Sequence, residues 1–115
     1  MKITVQSIHF NADKGLLEFI QKKVDKLETF YDNIISGEVY LRLENVEDEA
    51  NKITEIKLML PGNQIFAKEQ CKSFEAATDL AVESLRKQID KHKKRKAIAV
   101  QEVQKAVLIA TEAEF

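Results

Sequence analysis

A chain of 115 residues, 44% hydrophobic and 32% charged, supplies one domain with a real core and a well-solvated surface; with three Gly and one Pro it is neither collagen-like nor low-complexity. Its 18 Lys and Arg against 19 Asp and Glu give a net charge of −1, which taken whole argues against a nucleic-acid protein. One cysteine, Cys71, excludes an internal disulfide and fits a reducing compartment, and no stretch approaches the roughly 20 apolar residues of a membrane span. The N-terminus, Met1-Lys2-Ile3-Thr4-Val5, alternates like a strand and lacks the apolar core of a signal peptide. These features predict a soluble, cytoplasmic domain with no membrane partner.

Residues 2–8 alternate weakly and predict a strand, with Ile3 and Val5 on one face. Asn11 and Asp13 then offer N-cap oxygens. Leu16, Ile20, Val24, Leu27 and Tyr31 recur at helical spacing and predict an amphipathic helix of about five turns. Lys22 and Lys26 fall on its opposite side and Lys23 at its margin. Ser36-Gly37 breaks the pattern, and residues 38–44 alternate as a second strand. Glu47, Asp48 and Glu49 read as an acidic connection to a third strand over 52–60. Pro61-Gly62 suits the centre of a type II turn, because Pro presets φ and Gly accepts φ > 0. A fourth strand covers 64–70. Ser73 is a candidate N-cap for a second long helix whose apolar face carries Phe74, Ala77, Ala81, Leu85 and Ile89.

The order β-α-β-β-β-α predicts an α/β two-layer sandwich, with two helices packed on one face of a four-stranded sheet. The first two strands, joined through a helix, should run parallel. Residues 1–96 form this domain. Residues 97–115, Ala-rich and weakly apolar, read as a C-terminal tail that is either a helical extension or disordered.

The net charge conceals a separation. Residues 84–96 hold seven cations (Arg86, Lys87, Lys91, Lys93, Lys94, Arg95 and Lys96) against Asp90, a local charge of +6. Lys87, Lys91 and Lys94 form one stripe at i, i+4, i+7, and Lys22 and Lys26 could form a second on the first helix. Two such stripes on neighbouring helices would frame a groove that draws a polyanion. One or two lysines at a helix C-terminus need no ligand, since they answer the helix dipole, but this run exceeds that need. A solvated face on a protein-interaction module is the competing reading.

Catalysis has little support. His9 and His92 are far apart in sequence, and His92 falls near the apolar side of the second helix, where packing is its expected role. Cys71 has no CxxC neighbour, no metal-ligand cluster is visible, and phosphate-binding glycine loops and nucleophile elbows are absent. The expectation is a non-enzyme with no cofactor.

Two helical patterns stand out: Leu17-Glu18-Phe19-Ile20 with Lys23, Lys26-Leu27-Glu28 and Tyr31-Asp32, and Ala76-Ala77, Asp79, Leu85, Gln88 and Lys91-His92-Lys93. Together they resemble a known family, the ribosome hibernation-promoting factors, also described as ribosome-associated inhibitors or ribosomal subunit interface proteins. The resemblance spans roughly residues 2–95 and is to a short form of the family. It implies a fold akin to a double-stranded-RNA-binding domain. It also implies binding to the small ribosomal subunit and its rRNA at the decoding region of the 70S ribosome, where mRNA and tRNA are excluded and translation stops. On this resemblance Lys23, Lys26, Lys87, Lys91 and Lys93 fall on basic family positions; Lys22, Arg86, Lys94 and Arg95 join them by helical geometry. The free protein is expected to be a monomer. A general RNA-binding domain without ribosome preference is the third reading. Two departures bear on local packing. Glu75, beside Phe74, stands where the family usually has an aromatic, and Ala77-Thr78-Asp79 replaces Ala-Ile-Asp.

Overall fold

The computed structural model describes the backbone of residues 1–44 and 50–113, and side chains up to Arg95 within these. The elements run β1 (Lys2–Ser7), α1 (Lys14–Asp25), a 3₁₀ turn (Lys26–Thr29), β2 (Ser36–Leu43), β3 (Lys52–Leu60), β4 (Asn63–Cys71) and α2 (Phe74–Ala113). The sheet order is β1-β2-β3-β4, with β1 parallel to β2 and the other pairs antiparallel. The expected sandwich is therefore present. The acidic residues Glu47, Asp48 and Glu49 lie outside the described residues.

Local chemistry sets most boundaries. Asp13 Oδ1 accepts the Leu16 N–H at 2.7 Å and starts α1; Ser73 Oγ accepts the Ala76 N–H at 3.1 Å and starts α2. The β3–β4 hairpin closes through Pro61-Gly62, with Gly62 at φ 72°, as the turn requires. α1 is shorter than its apolar spacing suggests. Its last turn tightens to 3₁₀, where Thr29 Oγ1 bonds the Lys26 carbonyl at 2.6 Å, yet Leu27 and Tyr31 are still buried.

Gly37 does not break the sheet. It is buried in β2 between Ile3 of β1 and Leu58 of β3, and a Cβ there would come within 3.0 Å of Leu58 Cδ2. Close packing, not a turn, explains this glycine.

The core lies between the helices and one sheet face. Leu16, Ile20, Val24 and Leu27 from α1 and the turn after it meet Val39, Leu41, Ile56, Leu58 and Ile65 of the sheet and Phe74, Ala81, Leu85 and Ile89 of α2. Fully burying a side chain of this size contributes about 1.5–3 kcal/mol. Both departures from the family pattern are absorbed here. The Phe74 ring stacks on Phe10 with centroids 5.2 Å apart, and the buried Thr78 hydroxyl meets that of Thr54 on β3 at 3.4 Å.

Candidate nucleic-acid interface

The two helices run side by side in the same direction. Contacts advance along both together: Phe10 on Phe74, Lys23 on Asp79, Phe30 beside Arg86, Tyr31 against His92. This places one flank of α2 against α1. The other flank leans over the edge of β4, where Gln88 Nε2 donates to the Phe66 carbonyl at 2.8 Å.

Three of the nine candidate cations are engaged at the helix seam. Lys23 Nζ pairs with Asp79 Oδ1 at 3.1 Å and lies 5.5 Å from the centre of the Phe19 ring. Arg86 grips Glu83 through Nη2 at 2.6 Å and Nε at 3.4 Å, and its guanidinium sits 5.8 Å from the Phe30 ring centre. The Arg86 hydrogen bond holds the Glu83 carboxyl below its usual range, with the charges of Arg86 and Lys87 adding to it. The same bond raises Arg86 further. Lys93 Nζ donates to the Phe30 carbonyl at 2.8 Å, tying α2 to the end of the 3₁₀ turn.

The other six point to solvent. Lys22, Lys26, Lys87, Lys91, Lys94 and Arg95 are exposed, and none forms an ion pair with a described residue. With about 100° per residue, the Lys87–Lys91–Lys94 stripe is centred roughly 100° round α2 from Asp79, Arg86 and Lys93. Lys91 and Arg95 stand above the β3–β4 turn, lining an open pocket with Asn63, Gln64, Ile65, Gln88 and His92. The two stripes lie on the solvent-exposed sides of neighbouring helices, with the seam contacts between them. The seam is filled by Lys23, Arg86 and Lys93, and the six cations without an ion pair to a described residue are solvent-exposed.

His92 packs as its position suggested. Its ring meets Tyr31 edge to face at 5.6 Å, and its Nδ1 lies 3.3 Å from Asn63 Nδ2. His9 is exposed at the end of β1 with φ 63°. Cys71 is half-buried; burial, with the Glu69 charge, pushes its thiol up, which disfavours the nucleophilic thiolate. Among the described residues no group of His, Cys, Asp and Glu could hold a metal ion, and no helix is long and apolar enough to cross a membrane. Sequence reading did not single out Asn63 and Gln64, which line this pocket; their only signal was the turn they follow.

Comparison with known proteins agrees with this architecture. A family model described as Sigma 54 modulation protein / S30EA ribosomal protein matches residues 3–97. The ribosome hibernation promoting factor of Pseudomonas putida is 23% identical over 101 residues, covering 88% of this chain and 95% of that protein. The factor of the same name from Escherichia coli K12 is 28% identical over 93 residues, covering 81% and 94%. Two solved structures share the fold. A ribosomal subunit interface protein from Coxiella burnetii gives a TM-score of 0.73 at 22% identity, covering 82% of this chain and 99% of that one. The N-terminal domain of Thermus thermophilus Protein Y gives 0.69 at 24%, covering 80% and 99%. With 95 consecutive residues matched, the chain belongs to the Sigma 54 modulation protein / S30EA ribosomal protein family.

Proposed function

We propose that this protein is a non-catalytic ribosome hibernation factor acting in the cytoplasm. It binds the small ribosomal subunit near the decoding region, at the subunit interface of the 70S ribosome. There it occupies space that mRNA and tRNA need, so translation stops by exclusion. Residues 1–96 are the ribosome-binding unit, residues 97–115 are an appended tail, and the free protein is monomeric.

The observation that carries this reading is the set of six exposed cations on α1, the turn after it and α2 that form no ion pair with a described residue. A positive surface that is not neutralised within its own fold is what phosphate oxygens require. Homologues bearing the hibernation name over nearly their full length supply the ribosome as the target. Phosphate contacts position such a protein without reading sequence, which suits a target defined by shape.

The test is sedimentation with ribosomes, paired with an in-vitro translation assay. The protein should travel with small subunits and 70S particles at low salt and suppress translation in proportion to occupancy. Recovery only in the particle-free fractions at low salt would refute the proposal. Equal affinity for unrelated RNA of matched length would replace it with general RNA binding.

A further inference from the structure

The pocket on the outer flank of α2 has a chemistry that phosphate binding alone does not call for. Its volume is about 260 Å³, and Asn63, Gln64, Ile65, Gln88, Lys91, His92 and Arg95 line it. Two cations, three side-chain amides, one imidazole and one buried aliphatic residue surround the space, with no carboxylate. That is slightly below the roughly 300–1,000 Å³ of drug-sized sites, which suits a small polar ligand.

Two of the three side-chain amides are held in place. Asn63 Oδ1 takes the Gln64 N–H at 2.8 Å, which turns Asn63 Nδ2 toward His92 Nδ1 at 3.3 Å. Gln88 Nε2 is held by the Phe66 carbonyl at 2.8 Å and Ser84 Oγ at 3.2 Å, leaving its Oε1 as an acceptor. The exposed Gln64 amide has no side-chain partner among the described residues, so its donor and acceptor are both available. A free carboxamide beside a fixed acceptor is the pattern that pairs with a nucleobase edge. A phosphate needs only the cations.

We infer that this pocket holds one nucleotide unit, its phosphate on Lys91 and Arg95 and its base edge on Gln64 and Gln88. The inference rests on the polyanion reading of this surface and deepens it. Most of the cations contact backbone, while this corner touches an unstacked base, the form in which RNA exposes its edges.

The experiment is an NMR titration of the full chain with three probes: inorganic phosphate, nucleoside monophosphates and a short single-stranded oligoribonucleotide. The monophosphates and the oligonucleotide should shift the side-chain amide signals of Gln64 and Gln88, whereas phosphate should move only the side-chain signals of the Lys91 ammonium and the Arg95 guanidinium. Gln64→Ala should lower oligonucleotide affinity roughly fivefold or more, as loss of a base-edge pair does. If phosphate and nucleotides move the same signals, or none move the amides, the inference is overturned. Tighter binding of the oligonucleotide assigns the unit to an RNA strand; tighter binding of a monophosphate assigns it to a free nucleotide. Either order supports the pocket. Unmoved amides with ribosome sedimentation intact would remove this inference alone. Shifted amides without sedimentation would remove the ribosome reading alone.

Discussion

Along the helix seam, Lys23, Arg86 and Lys93 use their charge on partners within the protein: Asp79 and the Phe30 carbonyl across the seam for Lys23 and Lys93, and Glu83 on α2 itself for Arg86. About 100° round α2, Lys87, Lys91 and Lys94 present the same chemistry to solvent with no ion pair to a described residue. Residue type and local density do not separate the two sets; azimuth around α2 does. A basic run on a helix is thus two devices at once, one that holds a neighbouring helix and one left for a ligand. The first set is satisfied before any partner arrives, so an anion binding there must compete with contacts already made. The second set forms no ion pair or hydrogen bond with a described residue that a ligand would have to displace.

Charge reversal on the outer set should give the largest effect. Lys87→Glu combined with Lys91→Glu replaces two attractive contacts with two repulsive ones. Ribosome binding should fall by at least roughly 100-fold, by the phosphate electrostatics that dominate such affinity. Exposed substitutions of this kind usually change stability by within about 0.5 kcal/mol, so the melting temperature should scarcely move. Sedimentation beside a thermal melt checks both halves. Unchanged occupancy would dissolve the distinction and favour the interaction-module reading.

Salt sharpens the comparison next. If each of the six exposed cations neutralises one phosphate, log affinity should fall against log salt with a slope of roughly −4 to −5. Were all nine candidates engaged, the slope would be roughly −6 to −8. Each single outer variant should lower its magnitude by about 1, while Lys23→Met and Lys93→Met should lower it less.

Those seam variants carry the third prediction. Lys23→Met keeps the aliphatic stem over Phe19 but loses the Asp79 pair, which is half-exposed and worth about 0.5 kcal/mol. Chemical denaturation should detect that loss, and ribosome affinity should change less than in any outer variant. A seam variant that weakens binding more than Lys87→Ala would invert the assignment.

Much of this molecule was legible before its structure. The caps at Asp13 and Ser73, the Pro61-Gly62 turn and the alternation of β3 are local signals, and they set their elements where expected. What escaped was tertiary. Gly37 reads as a breaker until Leu58 is seen to crowd it. Helical spacing gave the azimuth of every cation but not the side on which α1 would lie. That single unknown sorted Lys23, Arg86 and Lys93 from the rest. The pocket joins residues 63–65 to residues 88–95, and no short-range pattern links two such segments.

The smallest predicted effect concerns acid. Glu83 is held below its usual range chiefly by the Arg86 hydrogen bond. A carboxyl lowered on folding contributes stability that is full above its unfolded value and is lost as pH falls through the folded one. Arg86 stays charged throughout this range and adds no titration of its own. Glu83→Gln should therefore be slightly less stable than the parent at neutral pH. The difference should close as pH drops through the carboxylate range, because protonated Glu83 then resembles Gln. Both groups are exposed, so salt should shrink the effect. Melts across pH at low and high salt test this. A gap that persists in acid would mean that Glu83 acts by packing rather than through its charge on Arg86.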